Sequence, residues 1–131
     1  MVLLDTSYLI DYMRGKEEAK KLYEKLSEKG EEFHVPSIAI MEIANGAYGK
    51  NKKDDEIGQI KEFLASFSIL SFDQESAWKA GEIEAFLGRK GEIIEPEDIM
   101  IGAIALQNGE ILVTRNAKHF DRIEGLALEK Y

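Results

Sequence analysis

The sequence predicts a three-layer α/β/α protein, in which a central parallel sheet of four to five strands is covered by helices on both faces. Short apolar runs alternate along the chain with longer segments whose apolar residues recur at helical spacing, which is typical of βαβ units. The runs also lack the alternation of a half-exposed strand, as expected when both faces of a sheet are buried. Because the 131 residues contain no linker or repeat, we expect a single domain over residues 1–131.

Each predicted element depends on a local pattern. The strands are short apolar runs between turn-forming or charged residues, and they lie at residues 2–4, 33–35, 69–72, 111–113 and 126–128. The helices are longer segments with an apolar stripe, and they lie at residues 8–13, 17–29, 37–48, 54–67, 74–89 and 96–108.

Capping residues and helix breakers indicate where the helices begin and end. Asp5 precedes the first helix as a capping residue, and Gly30 ends the second. Ser37 is the expected N-cap of the third helix, which is apolar nearly all round and is therefore expected to be buried. Pro96 opens the last helix and Gly109 ends it.

The composition excludes several kinds of site and location. There are no cysteines and only two histidines, which excludes thiolate sites and disfavours a His-rich zinc site. Any bound metal should therefore be a hard cation with oxygen ligands, Mg²⁺ or Mn²⁺. No run approaches the roughly 20 apolar residues of a membrane span, and Asp5 interrupts the N-terminus too early for a signal peptide. We expect no membrane association and a cytoplasmic protein.

The net charge of −8 argues, taken alone, against a nucleic-acid partner. Charge is local, however, and basic residues recur in small groups near predicted loops. Each group is either solvated surface or a phosphate contact; the groups comprise Lys50, Lys52 and Lys53, then Arg89 and Lys90, then Arg115, Lys118 and Arg122.

Glu42 is the most informative residue, since it is a lone carboxylate within the apolar third helix. A carboxylate in such a place is unfavourable unless a cation or hydrogen-bond donors meet it. Asp5 follows the first strand and Asp98 lies in the first turn of a helix, so either could simply be a capping residue. Sites in open α/β sheets nevertheless lie at the carboxyl ends of strands. Three acids from distant segments are what a divalent metal site needs.

Other polar and aromatic residues have simpler interpretations. Asn45 lies one turn beyond Glu42, where it could orient that carboxylate or remain at the helix surface. His34 is interpreted as a strand residue and His119 as a loop residue, and neither is assigned to a metal. Trp78 and Tyr48 are expected in the core.

Four segments together resemble the PIN-domain family, and more narrowly the VapC toxins of prokaryotic toxin–antitoxin pairs. They are VLLDTSYLI at residues 2–10, Glu42 in its apolar helix, PEDIMIGA at 96–103 and LVTRNAKHFDRIEGL at 112–126. The resemblance covers essentially the whole chain. It implies a metal-dependent endoribonuclease in which Asp5, Glu42 and Asp98 are the catalytic, metal-binding acids.

The resemblance also implies supporting residues and partners. Thr6 or Ser7 matches a small hydroxyl position that supports the site, and Asn116 stands where many members have a fourth acid. The implied partners are an RNA substrate, a VapB-type antitoxin that covers the acidic cleft, and a second copy of the chain in a homodimer. Arg115 and Lys118 are predicted to hold flanking phosphates.

The residues independently suit phosphodiester hydrolysis, because Mg²⁺ or Mn²⁺ held by carboxylates stabilises phosphoryl charge and activates water. Two other hypotheses remain open. A non-catalytic PIN-like module that binds RNA or protein is suggested by the neutral Asn116. Another Mg²⁺-dependent α/β protein, such as a phosphatase or receiver domain, is suggested by Asp5 at a strand end.

Overall fold

The computed structural model describes all 131 residues and contains five strands and seven helices. The strands are β1 (Val2–Leu4), β2 (Phe33–Pro36), β3 (Ser68–Leu70), β4 (Ile111–Thr114) and β5 (Leu128–Lys130). The helices are α1 (Thr6–Met13), α2 (Glu17–Glu28), α3 (Ser37–Gly49), α4 (Asp54–Ala65), α5 (Gln74–Arg89), α6 (Pro96–Gln107) and α7 (Ala117–Phe120). None of the helices is long and apolar enough to cross a membrane.

All five strands form one parallel sheet in the order β3-β2-β1-β4-β5. The chain builds outward from β1 through β2 to β3, and then returns to add β4 and β5 on the other side. The order therefore reverses between β1 and β4, and in open α/β sheets the crevice at such a point is where ligands bind. The predicted three-layer fold with a parallel sheet is confirmed.

Two apolar cores cover the two faces of the sheet. Alternate residues of the central strands supply them: Leu3 and Leu112 pack with α5 and α6, whereas Val2, Leu4 and Val113 pack with α1, α2, α3 and α4. This division follows from the alternation of side chains along a strand. Because both alternating sets are buried, the strands are apolar throughout, which is why they read as continuous apolar runs.

Several local predictions were wrong. Tyr48 and Trp78 are not in the core, since their side chains are 59% and 75% exposed. The helix carrying Glu42 is buried on one face only, and Met41 points outward. Ser37 is the first helical residue rather than the N-cap, and its hydroxyl accepts a hydrogen bond from the Phe72 N–H at 3.1 Å. Apolar composition marked these segments as helical, but only tertiary packing decides which face meets the core.

Two strands have bounds that differ from the predicted ones, and one short helix was not predicted. β3 and β5 begin at Ser68 and Leu128, so the predicted strands at 69–72 and 126–128 were displaced by one or two residues. His119 lies in the single-turn helix α7 and not in a loop. Four residues are too few to show a helical period in a sequence.

At the amino end of the sheet, opposite the switch point, a histidine contacts a buried glutamate. His34 in β2 binds through Nδ1 to Oε1 of Glu110, which directly precedes β4. Glu110 is 4% exposed, and its Oε2 has no hydrogen-bond partner. His34 is therefore a strand residue, as predicted, and the interaction joins β2 to the start of β4 across β1.

Candidate metal-binding and nuclease site

Asp5 lies immediately after β1 and is 3% exposed. Its carboxylate caps α1, because Oδ1 accepts the Thr6 backbone N–H at 2.7 Å. Its Oδ2 accepts two hydroxyl hydrogen bonds, from Ser7 at 2.9 Å and from Thr114 at 2.7 Å. Asp5 is thus both a helix cap and a fixed carboxylate at the switch point, so the two interpretations of this residue are compatible.

Glu42 approaches the same crevice from α3 and is half-buried. Its Oε1 accepts a hydrogen bond from the Thr6 hydroxyl at 2.7 Å. Thr6 therefore links two acids, since its N–H binds Asp5 and its hydroxyl binds Glu42. Asn45 is exposed and makes no hydrogen bond to Glu42, so of its two interpretations the surface one holds.

Asp98 enters the site from the first turn of α6, which begins at Pro96. Its Oδ2 is 2.8 Å from Nε2 of His119 in α7. The other imidazole nitrogen, Nδ1, is 3.0 Å from a terminal guanidinium nitrogen of Arg122. The site therefore includes a histidine that contacts one of the predicted acids directly.

The three acids influence one another electrostatically. Burial raises the pKa of each carboxyl above its ordinary value, and this is the largest cause in all three. Asp5 also raises the pKa of Asp98, and both raise that of Glu42. Hydrogen bonds act the other way: Thr114, Ser7 and Thr6 lower the pKa of Asp5, Thr6 lowers that of Glu42, and nearby His119 lowers that of Asp98. No lysine or arginine pairs with any of the three acids.

The chemistry of these donors fits a hard divalent cation. All three are carboxylates, their mutual repulsion is not offset by a lysine or an arginine, and such cations prefer oxygen ligands. As the side chains are placed, no three His, Cys, Asp or Glu residues lie close enough together to enclose an ion. Asp98 is instead engaged by His119. A cation bound here would be held by Asp5 and Asp98, with Glu42 beside them.

The predicted supporting residues have different positions. Thr6 lies within the site, as described above. The Asn116 side chain is exposed and makes no hydrogen bond, but its backbone N–H donates to the Thr114 hydroxyl at 2.9 Å. Arg115 places one guanidinium nitrogen 2.8 and 2.9 Å from the two oxygens of Asp11. Lys118 is exposed and has no ion-pair partner. Phosphate binding by Arg115 and Lys118 stays a prediction.

The sequence reasoning missed three residues of this region. Thr114 is wholly buried and donates to Asp5, Asp11 is 1% exposed and binds Arg115, and His119 contacts Asp98. Thr114 had one available signal, since it directly follows an apolar strand, where a site is expected. His119 and Asp11 had none, because their contacts join segments far apart in the chain.

The chain matches the PIN domain over residues 2–126. It is 30% identical over 129 residues to the tRNA(fMet)-specific endonuclease VapC of Salmonella typhimurium, with 98% of this chain and 96% of that protein covered. The structure of VapBC2 from Rickettsia felis bound to a DNA fragment from its promoter has a TM-score of 0.90 and 28% identity, covering 100% of this chain and 99% of its counterpart. DNA-bound VapBC from Salmonella typhimurium has a TM-score of 0.88 and 30% identity, with 99% and 98% covered.

The fold and the matched residues define a PIN-domain protein, and the chain belongs to that family. Within the family it groups with the VapC proteins, because the match to the Salmonella VapC extends over nearly the full length of both chains. The resemblance stated from the sequence is confirmed.

Proposed function

We propose that this protein is an endoribonuclease, the toxin of a toxin–antitoxin pair, and that it hydrolyses RNA with the aid of Mg²⁺ or Mn²⁺. The observation that carries the proposal is that Asp5, Glu42 and Asp98 lie around the switch point of a PIN fold, where their charges act on one another. The names of the relatives support nuclease activity: one is a tRNA(fMet)-specific endonuclease and another is a ribonuclease VapC2 from Haemophilus influenzae.

The metal-binding acids have separate tasks in this proposal. Asp5 is preorganised by three donors, so little ordering is needed when it binds a cation. Asp98 offers the carboxylate oxygen that His119 leaves unoccupied. When bound, the cation stabilises charge on the phosphoryl group and lowers the pKa of water.

Glu42 suits the handling of water. Its Oε1 is held by Thr6, while no side chain donates to Oε2. The raised pKa of this half-buried carboxyl makes it a better proton acceptor than an ordinary glutamate. We therefore assign Glu42 the orientation of the attacking water and acceptance of its proton at Oε2, with a ligand role as the alternative. Lys118 and Arg115 would contact flanking phosphates, for which Arg115 would have to share or leave Asp11.

The site is tested by cleavage of total RNA and of purified initiator transfer RNA with Mg²⁺, Mn²⁺ or a chelator. We expect cleavage that requires metal and that falls about 10²-fold or more in Asp5→Asn and Asp98→Asn, since the loss of several kcal/mol of charge stabilisation has that effect. Glu84→Gln, which removes an exposed acid of α5, is the control and should cut like wild type.

A non-catalytic binding module is the alternative function, favoured by the exposed, uncharged Asn116. Well-folded wild type that binds RNA or a partner but never cleaves with either metal would support that alternative. Metal-dependent cleavage that disappears in Asp98→Asn would exclude it. The third hypothesis, a phosphatase or receiver domain, has no support from the matched family.

We also propose an antitoxin partner, because the solved VapBC relatives are complexes. A groove of about 610 Å³ between α1, α3 and α4 suits a partner segment: it reaches Glu42, and half of its lining residues are hydrophobic. Arg14, Lys50 and Lys52 border it. We further propose that the protein is cytoplasmic and that it forms a homodimer, which sedimentation equilibrium would test.

The groove assignment has a matched pair of variants. Gly46 lines the groove and Gly58 does not, and in both places an added Cβ meets no atom within 4 Å. Both helical glycines therefore accept a side chain. Gly46→Glu should weaken binding of a VapB-type antitoxin that binds the wild type at least tenfold, and Gly58→Glu should not. Equal affinity of the two variants would exclude the groove.

A further inference from the structure

His119 is held from both sides by polar groups. On one side Nε2 lies 2.8 Å from Asp98 Oδ2, and on the other Nδ1 lies 3.0 Å from a guanidinium nitrogen of Arg122. Arg122 is itself fixed, because its other terminal nitrogen donates to the Ile93 carbonyl at 3.1 Å. The imidazole also meets the buried ring of Phe120 edge-on, at 5.8 Å between centroids.

This arrangement determines which ring nitrogen carries the proton of the neutral histidine. A guanidinium has only N–H donors, so Nδ1 must accept from Arg122 and cannot itself be protonated in that contact. The proton of the neutral ring is therefore on Nε2, which lies 2.8 Å from Asp98 Oδ2.

The contact constrains Asp98, which has no other side-chain donor. A carboxylate at a helix start can rotate about its terminal bond unless one oxygen is held. The contact of Oδ2 with His119 restricts this rotation, and Oδ1 has no side-chain partner. Groups that hold a metal ligand in this way commonly change metal affinity by 10- to 100-fold.

We propose that His119, with its tautomer set by Arg122, is a positioning residue that orients Asp98 toward a divalent cation. This rests on the proposed function, in which Asp98 is a ligand of that cation. The Asn116 side chain makes no hydrogen bond to the acids. In the segment after β4, His119 is the residue whose side chain contacts Asp98.

The test is Mn²⁺ binding measured by calorimetry, in the absence of RNA. Wild type is compared with His119→Leu, which removes the donor, and with His119→Gln, whose amide can place an N–H near the position of Nε2. We expect Leu to weaken Mn²⁺ binding about tenfold, and Gln to recover most of the affinity. Glu124→Gln, an exposed change nearby, is the control. Circular dichroism confirms that each variant is folded.

The tautomer gives an independent readout. In ¹⁵N NMR spectra of wild type we expect the His119 ring proton on Nε2, and in Arg122→Leu a mixture of both tautomers. A proton on Nδ1 in neutral wild type would overturn the proposal. So would equal Mn²⁺ affinities of wild type and His119→Leu, or equal losses in the Leu and Gln variants.

Asp98→Asn separates this proposal from the function on which it rests. If Asp98→Asn weakens Mn²⁺ binding and His119→Leu does not, the positioning role of His119 is wrong, but Asp98 remains a ligand of the cation. If wild type binds no Mn²⁺, or binds it equally well as Asp98→Asn, both the metal site and the positioning role are overturned.

Discussion

Replacing Thr114 by valine removes a hydroxyl from the floor of the acidic site without changing the shape of the side chain. The Thr114 hydroxyl donates to Asp5 Oδ2 at 2.7 Å and accepts the Asn116 N–H at 2.9 Å. The side chain is wholly buried, so no water reaches Asp5 from this direction unless the packing changes. Valine is also well suited to a strand, so the effect should come from the two lost hydrogen bonds.

The magnitude follows from the two partners. A hydrogen bond to an ionised carboxylate contributes about 1.5–3 kcal/mol, and Asp5 keeps its two other donors. The bond to Asn116 contributes about 0.5 kcal/mol, since water can replace it at that exposed residue. We expect Thr114→Val to lower the free energy of unfolding by about 2–3.5 kcal/mol. Thr114→Ser keeps the hydroxyl and loses one methyl group, for about 1 kcal/mol.

The loss should depend on pH in a definite direction. Burial raises the pKa of Asp5, whereas the Thr114 hydroxyl lowers it by stabilising the ionised form. The stabilisation from Thr114 is therefore present on the alkaline side of the Asp5 pKa and declines as pH falls through it. That window lies above the ordinary range of an aspartate, because the net shift is upward.

The assay is urea unfolding followed by far-ultraviolet circular dichroism over a series of pH values, with a chelator present. Tryptophan fluorescence is unsuitable, because Trp78 is already 75% exposed in the folded protein. If Thr114→Val is no less stable than Thr114→Ser above the pKa of Asp5, the Thr114 hydroxyl does not stabilise the ionised carboxylate. The same conclusion follows if the stability difference between Thr114→Val and the wild type is equal at every pH.

Three further changes test other parts of the structure. Asp98→Asn should raise the free energy of unfolding when metal is absent. Burial and the Asp5 charge raise the pKa of Asp98, so the wild type loses stability as pH rises through the range in which this carboxyl ionises. The greater stability of the Asn variant, measured by urea titration, should therefore vanish in acid. Arg115→Ala should lower the free energy of unfolding by about 2 kcal/mol, less than for a fully buried pair because Arg115 is 50% exposed, and an unchanged urea midpoint would contradict this. His34→Leu should lower the free energy of unfolding by about 3 kcal/mol, because it leaves the Glu110 carboxylate buried without a donor. Adding Glu110→Met should recover most of this loss in a double-mutant cycle, whereas additive losses would exclude an interaction between the two residues.

The fold could be predicted from the sequence because the pattern of each segment agrees with the way the segments pack together. Val2–Leu4 and Ile111–Thr114 are short, apolar and bounded, and such runs between amphipathic helices have few arrangements other than a covered parallel sheet. Glu42 was selected because an unexplained carboxylate on an apolar helix needs a partner. Asp5 and Asp98 were selected from their places at element boundaries and from the family resemblance, and the metal-binding role of all three stays a prediction.

The contacts and orientations of several other side chains could not be predicted from the sequence, because they depend on packing between distant segments. Trp78 is apolar and lies on a helix, yet nothing in the helical period says that its position faces away from α6. The contact of His119 with Asp98 exists only because α7 follows β4 next to the start of α6. Arg115 was expected at a phosphate, but the fold places Asp11 within reach. Each of these outcomes requires the strand order, which the sequence pattern leaves open.

The strand order also has a consequence for synthesis of the protein on the ribosome. Asp5 and Thr114, which share a hydrogen bond, are separated by 109 positions, and β1 is paired on one side by β4. Asp5 and Glu42 therefore emerge long before the strand and the hydroxyl that complete their surroundings. A nascent or prematurely terminated chain that stops short of β4 lacks a closed sheet and a complete acidic crevice. The acidic crevice is therefore completed only after β4, in the last quarter of the chain, has been made.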